Sequence, residues 1–365
     1  MILVRDIKEI AAHRRSGDAP CVGYHPVAPA AKSVMQPPRF LFGPANDDVL
    51  GQIFGQLDTP AVGCYDFGAA LVAPTGIAIK AGVAFCATDA FIHPRHHVVA
   101  VSDRLNASPL PVRHVPGPLA VIYGPAHETW GHWLVDFLPR LWVLHASFHA
   151  LDKLHFLMPP DLRDFAREML MLCGLRAEQL VPYEYWREVI STDRLLMPTG
   201  LRAVNRLAPC FDVATEFWIS RARASAGIVV GAGGAALFLS RGAAAQQRQV
   251  ANRAEIEHIA AAEGLRVVRP ETLTVADQIS LFSAARILCG EYGSGLHNAV
   301  FAAAGSVTCA LRGNSRHPGF VQSGVATALR QQVGYVFGNT EGQDVRQSFS
   351  IDGRQFREAM KHVLF

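Results

Sequence analysis

The sequence predicts an α/β protein with a strand-rich N-terminal region, on three observations. Half of the 365 residues are hydrophobic and 18% are charged, the balance of a chain that buries a core. From residue 237 onward, short apolar runs alternate with stretches of helical period, the order that builds a parallel sheet through right-handed crossovers. Before about residue 118, proline and glycine break the text into short runs instead, the mark of strands and turns. At roughly 100 to 200 residues per domain, the length predicts two domains.

In chain order, residues 1–118 read as strands and turns, with 98–101 one of the short apolar runs. A strand over 119–123 opens an α/β region. A helical stretch over 130–145 follows, then a strand over 155–158 and a helix over 161–173 closed by Gly174. Residues 211–226 read as a connecting helix, and the glycine-rich 227–234 as a hinge into a second lobe. Beyond it come strand 237–240, helix 252–263, strand 266–269, helix 274–285, strand 287–289, a helix from about Leu296 and strand 307–311. Asn252 with Glu255 and Thr274 with Asp277 have the spacing of a capping box. Ile256, Ile259 and Ala260, then Val275, Ile279 and Phe282, recur at helical spacing and should face the sheet. Residues 354–364 read as a last helix.

Charge and cysteine usage narrow the function. A net charge of +3 with pI near 8.5 is too mild and too evenly spread for a nucleic-acid footprint. Cys21, Cys64, Cys86, Cys173, Cys210, Cys289 and Cys309 are odd in number and lack a C-x-x-C pair, which predicts free thiols in a reducing compartment. The start turns charged at once, so no signal peptide is expected. Residues 295–311 are interrupted by His297, Asn298, Gly305 and Ser306 and do not read as a membrane span. The expected location is cytoplasmic, with membrane contact no more than peripheral, at the inner face.

The turn Gly290-Glu-Tyr-Gly-Ser-Gly-Leu-His-Asn298 is the strongest local signal. It lies between a predicted strand and a predicted helix, so its glycines fall at the carboxyl end of a parallel strand, where open α/β sheets bind ligands. Glycine lets backbone amides approach a pyrophosphate, and the following helix offers unpaired N–H groups. The spacing is neither Gly-x-Gly-x-x-Gly nor a Walker loop, which argues against a dinucleotide or an ATPase. Arg241 and Arg248 follow strand 237–240 and can reach the same sheet edge, where a guanidinium fork matches phosphate oxygens; the alternative is two solvated loop charges. Asn252 reads as a helix cap rather than a ligand.

The ordered set Tyr123, His132-Trp-Leu-Val-Asp-Phe-Leu-Pro-Arg-Leu141, Leu239-Ser-Arg, Arg248-x-x-x-Asn252, Pro270-Glu271, Gln278, Gly290 to Asn298, Phe301 and Gly305-Ser306 resembles the family 61 glycosyltransferases. That group includes plant xylan-decorating xylosyltransferases, protein O-linked N-acetylglucosamine transferases and bacterial polysaccharide enzymes. The likeness spans 119–311 and implies a GT-B architecture: two Rossmann-like lobes facing across a cleft, and inversion at the anomeric carbon. The implied division is 1–226 as the N-terminal, acceptor-side lobe (1–118 strand-rich, 119–210 α/β, 211–226 connecting) and 227–365 as the nucleotide-sugar donor lobe, its last helix free to pack back on the other. The implied activity is hexosyl or pentosyl transfer from a nucleotide-sugar to a saccharide or glycan acceptor in polysaccharide synthesis. Where the family commonly has histidine, this chain has Tyr292, which keeps a hydrogen-bonding hydroxyl but no imidazole.

Such a reaction needs a base for the acceptor hydroxyl and stabilisation of the departing diphosphate. Amides at Gly293, Ser294, Gly295 and Leu296, with Arg241 and Arg248, can receive that charge, and Tyr292, His297 and Asn298 flank them. No Asp-x-Asp occurs, so neither a metal nor another cofactor is expected. His132 and Asp136 are spaced i, i+4 and share a helix face; Asp136 is either the base or the group that orients His132. Pro139 should kink or end that helix, and Arg140 can point toward the substrate. The resemblance carries Glu271 and Gln278 over as donor-side residues. Two competitors stand: a degenerate sugar-nucleotide-binding protein, suggested by Tyr292, and a metal-dependent hydrolase built on His93, His96, His97, His127 and His132, whose spacing is not that of a helical His-Glu-x-x-His.

Overall fold

A computed structural model describes residues 1–7, 22–45, 47–86, 93–230, 233–242, 248–315, 319–340 and 347–364. Cys21 and residues 231–232 of the expected hinge lie outside them. The chain forms two compact units. The first is Met1–Ala31, Pro60–Ala203 and Val213–Arg221; the second is Lys32–Thr59, Val204–Asp212 and Ala222–Phe365. Among the described residues no helix is long and apolar enough to cross a membrane, and the six described cysteines are free thiols.

The first unit is built on a ten-stranded sheet. Its N-terminal strands are β1 (Leu3–Asp6), β2 (Gly23–Ala28), β3 (Val62–Asp66), β4 (Ala70–Ala73), β5 (Ile77–Lys80) and β6 (Val83–Cys86). Later come β7 (Val112–Ala120), β8 (His155–Met158), β9 (Leu180–Pro182) and β10 (Val189–Pro198). The order is β1-β6-β5-β4-β10-β7-β8-β9, with β3 also on β10 and β2 on β3. The β7, β8, β9 and β10 ladders are parallel, whereas β3 and β4 join β10 antiparallel. Parallel neighbours require crossovers, and the segments between β7, β8 and β9 supply helices. The 98–101 run is not a strand: it lies in α1 (Arg95–Ala107), where Val98, Val101 and Leu105 are buried at helical spacing.

The helical stretch after β7 has an irregular register. It runs as α2 (Trp130–His132), a π-helical segment Trp133–Phe137, and α3 (Pro139–Phe148). The helical segment ends ahead of Pro139, as the proline predicts: Pro139 occupies the first turn of α3, where no N–H is needed, and the wide turn ahead of it is closed by Leu138 N–H bonding to Trp133 O at 2.9 Å. α4 (Asp164–Leu172) follows β8, starting three residues later than its pattern suggested. Residues Phe211–Ser225 form α5.

The second unit is a seven-stranded sheet of β11 (Ala235–Leu239), β12 (Arg266–Val268), β13 (Ala285–Glu291), β14 (Val307–Gly313), β15 (Gln332–Thr340), β16 (Phe349–Ser350) and the short strand Leu41–Phe42. The order is β12-β11-β13-β14-β15, all parallel. Its strands read as near-continuous apolar runs because both faces are covered; every residue of β14 is buried. α6 (Arg253–Ala262), α7 (Val275–Ser283), α8 (Val321–Ala328) and α9 (Gly353–Leu364) provide the cover. On α9, Phe356, Ala359, Met360 and Val363 enter the core with Ile256 and Ile259 of α6. Each large side chain so buried contributes roughly 1.5–3 kcal/mol. The α-helix expected from Leu296 is a 3₁₀ helix, Ser294–Phe301, which is tighter and carries its first bond sooner.

Candidate active site

In the second unit the chain runs from β11 outward to β12 and returns to β13 on the other side of β11. The connections therefore part above the carboxyl ends of β11 and β13, the switch point at which open α/β sheets bind ligands. Two glycines fit this place for different reasons. At Gly290 an added Cβ would run into the Leu239 carbonyl, so β11 and β13 approach too closely for any side chain. Gly293 sits at φ 152°, ψ −164°, a region essentially reserved for glycine. A Cβ there would lie 3.8 Å from Cζ and Nη1 of Arg241, so the guanidinium lies directly against the turn.

The first bond of the 3₁₀ helix runs from Leu296 N–H to Gly293 O at 3.1 Å. The amides of Ser294 and Gly295 precede it and are the orphan donors of the helix start; both residues and His297 are half-buried, while Leu296 is in the core. Tyr292 is only 8% exposed. Its ring lies 5.8 Å from the guanidinium carbon of Arg248 and 5.1 Å from that of Arg312, within reach of cation–π attraction. Arg248 holds a left-handed backbone, φ 55°. Burial, with Arg248 and Arg253 nearby, lowers the pKa of Arg241, while Glu291 and Glu271 act the other way.

The supporting groups sort themselves by burial. Glu291, the last residue of β13, is buried and accepts from Arg253 Nε at 2.7 Å and Val250 N at 3.3 Å. Glu271 is exposed, and its carboxylate packs against Gly242 beside Arg241. Gln278 and Asn298 are buried and meet each other at 3.5 Å, so they fasten α7 to the turn. Asn252 stands at the N-cap of α6; its side chain makes no bond to that helix's backbone but donates to Glu255 Oε2 at 2.9 Å, the partner its spacing predicted. It bonds the backbone of Ile351 in both directions, at 2.8 and 3.0 Å. Thr274, by contrast, caps α7 by accepting from Asp277 N at 3.1 Å. Arg253, Glu291 and Arg312 belong to no motif; for Glu291 and Arg312 the only signal is a charge near the carboxyl end of a mostly apolar strand.

The first unit holds a second polar cluster. Asp136, on the π-helical segment, is 5% exposed. It accepts from His132 Nδ1 at 2.6 Å and from Arg202 Nε and Nη2 at 2.6 and 2.9 Å. Burial alone would raise its pKa, but Arg202 and His132 outweigh it and hold the carboxyl well below the usual range. With both oxygens occupied and the proton affinity so low, Asp136 is a poor base and a good anchor. It fixes the Nδ1–H tautomer of His132, leaving the Nε2 lone pair on a side chain that is 36% exposed. Arg202 lies 66 residues from Asp136 and belongs to no local motif, so sequence spacing could not find it.

The other histidines are differently engaged. His127 Nε2 pairs with Asp161 at 2.7 Å. His93 is buried and stacks on His97 at 5.7 Å, at the start of α1; burial, then His97 and Arg140, push His93 down to about 3. Among the described residues no three His, Cys, Asp or Glu side chains are grouped to hold a metal ion, so the hydrolase reading finds no ligand set there. Residues 130–309, which include both clusters except Arg312, match the family model Glycosyltransferase 61. No curated protein matches the chain.

Proposed function

From the premise that residues 130–309 form a Glycosyltransferase 61 domain, which makes the protein a glycosyltransferase acting on a sugar donor and an acceptor, we propose an inverting enzyme of GT-B type that moves a hexose or pentose from a nucleoside diphosphate to a saccharide. In this reading the second unit carries the donor and the first supplies the base. One observation carries it: the Arg241 guanidinium lies against Gly293, at the switch point, beside the orphan amides of Ser294 and Gly295. Phosphate oxygens placed there meet a fork of donors and the positive end of a helix.

The chemistry divides accordingly. His132 Nε2 takes the proton of the acceptor hydroxyl as it attacks the anomeric carbon, and the imidazolium that forms is stabilised by Asp136. The bond to the donor oxygen breaks, and the electron pair leaves on the diphosphate. Arg241, Arg248 and the turn amides stabilise that charge without a metal, Tyr292 holds Arg248 and Arg312 in place, and Glu271 is positioned for a donor hydroxyl. A screen of uridine, guanosine, cytidine and thymidine diphosphates by thermal shift, with and without chelator, tests the donor side. One of them should raise the melting temperature regardless of chelator, and its sugar conjugates should release diphosphate when acceptor is present. Binding without release under any pairing would instead favour the degenerate binding protein that Tyr292 suggests.

A further inference from the structure

We infer that His127 and Asp161 are positioning residues for the base: they fix the main chain of the segment that carries His132. This rests on the reading above, because it takes His132 to accept the proton. The side chain of His132 is set by Asp136, which Arg202 holds in turn. Arg140, 2% exposed and with its guanidinium carbon 5.7 Å from the Phe137 ring, lies in the same buried support. Those contacts orient the imidazole, whereas the main chain of His132 is reached from the other side, through the stretch that leads into α2.

That stretch, residues 121–129, forms neither strand nor helix. Within it Ala126 holds a left-handed backbone, φ 63°, which an alanine keeps only where its surroundings impose it. His127 is the centre of those surroundings. Its side chain is 12% exposed and meets the Tyr123 ring edge-on at 5.7 Å. Its Nε2 lies 2.7 Å from Asp161 Oδ1 and its Nδ1 3.2 Å from Gly124 O. Its carbonyl accepts from Trp133 Nε1 at 2.6 Å, and Trp133, the residue after His132, is fully buried. Thr129 N–H bonds to Ala126 O at 3.0 Å and His132 N–H to Thr129 O at 3.1 Å. Bonds from this turn therefore reach both the base and its neighbour.

Asp161 ties the turn to the sheet. It lies on the segment that follows β8, the parallel neighbour of β7, so its bond to His127 joins the loops at the carboxyl ends of two adjacent strands. The Trp130 ring, 5.3 Å from that of Phe165, joins the same two segments a second time. Burial alone would raise the Asp161 pKa, but His127 outweighs it and holds the carboxyl below its usual range. The Asp161 side chain is 66% exposed, and a pair so open to water adds little to global stability. What it does set is the place of an imidazole that carries the turn, through a charge-assisted bond. Proton transfer is exacting in this respect, since a displacement of about 1 Å costs about 10²-fold.

Two measurements on the full chain test this, and the first needs no substrate. Asp161→Ala should speed hydrogen exchange of the Trp133 indole N–H roughly tenfold or more, read by NMR with the resonance assigned through Trp133→Phe, while the Trp218 indole exchanges as in wild type. Its melting temperature should stay within about 2 °C of wild type. The second is turnover with the donor that releases diphosphate. Asp161→Ala should lower kcat roughly 10- to 100-fold and leave the donor KM within about twofold. Asp161→Asn, which still offers Nε2 an acceptor, should recover most of that loss. An unchanged Trp133 indole in Asp161→Ala, a wild-type kcat, a loss confined to donor KM, or an Asp161→Asn no better than Asp161→Ala would overturn the inference. A wild type that releases no diphosphate from any donor would instead defeat the transferase reading, and the exchange measurement would still decide whether Asp161 fixes this segment.

Discussion

Two buried groups set the behaviour of the first unit at the residue scale. Asp136 ties His132 to Arg202, so its removal acts on chemistry and on stability at once. Asp136→Asn keeps the volume but loses the anion that fixes the tautomer and stabilises the imidazolium. Sugar transfer should fall about 10²–10⁴-fold with nucleoside diphosphate affinity unchanged; a variant that transfers at the wild-type rate would remove Asp136 from the mechanism. Asp136→Ala takes the bonded carboxylate from Arg202 and His132 and should cost about 3–5 kcal/mol in denaturant unfolding. His93 gives a separate acid signature. Its folded pKa, about 3, lies below the unfolded value near 6.5. Between these values the unfolded state binds the extra proton, so stability falls as pH falls through that window. Carboxylates titrate near 4 when unfolded and contribute little between pH 6.5 and 5. Over that interval wild type should lose about 1.6 kcal/mol that His93→Gln does not lose, measured by urea unfolding of the two proteins at both pH values.

At the scale of elements, the donor turn depends on how closely β11 and β13 approach. Gly290→Ala would force its Cβ onto the Leu239 carbonyl, which neither strand can yield without breaking their ladder. It should lower the melting temperature and nucleoside diphosphate affinity together. Arg241→Ala leaves that approach intact and should weaken nucleoside diphosphate roughly 10- to 100-fold, the loss of one or two charge-assisted hydrogen bonds. If Gly290→Ala melts and binds as wild type does, the close approach is not what shapes the turn. These elements also mark what the sequence made legible. The strand and helix alternation of the second unit, the glycine turn and the His132/Asp136 spacing were readable because they are local and periodic. Residues 98–101 read alone as a strand because Val98, Val99 and Val101 make a short β-branched run; only with Leu105, four past Val101, does the helical period emerge. Asn252 holds the cap position and meets Glu255 as its spacing predicts, but its bonds to Ile351, 99 positions away, are beyond any local pattern. Arg202 and Arg312 were invisible for the same reason: their partners come from packing, not spacing.

For the molecule as a whole, the two units have separate cores, one around Phe67, Leu119 and Tyr183 and another around Phe238, Cys309 and Phe356. Ligands seated in different units should therefore protect different backbone segments. Hydrogen exchange read by mass spectrometry makes this visible, since a ligand that binds only the native state slows the openings that expose the amides it contacts. The nucleoside diphosphate that gives the largest thermal shift should slow exchange over 290–301 and around Arg241, with 130–148 little changed. An acceptor saccharide should do the reverse, slowing exchange over 130–148 and leaving 290–301 as it was. The amides of Ser294 and Gly295 are the most direct reporters, because they precede the first bond of their helix and have no intrahelical partner to lose. Protection by the diphosphate that appeared over 130–148 and spared 290–301 would move the donor to the first unit. Arg241 would then have to be explained as a structural charge of the β11–β13 junction.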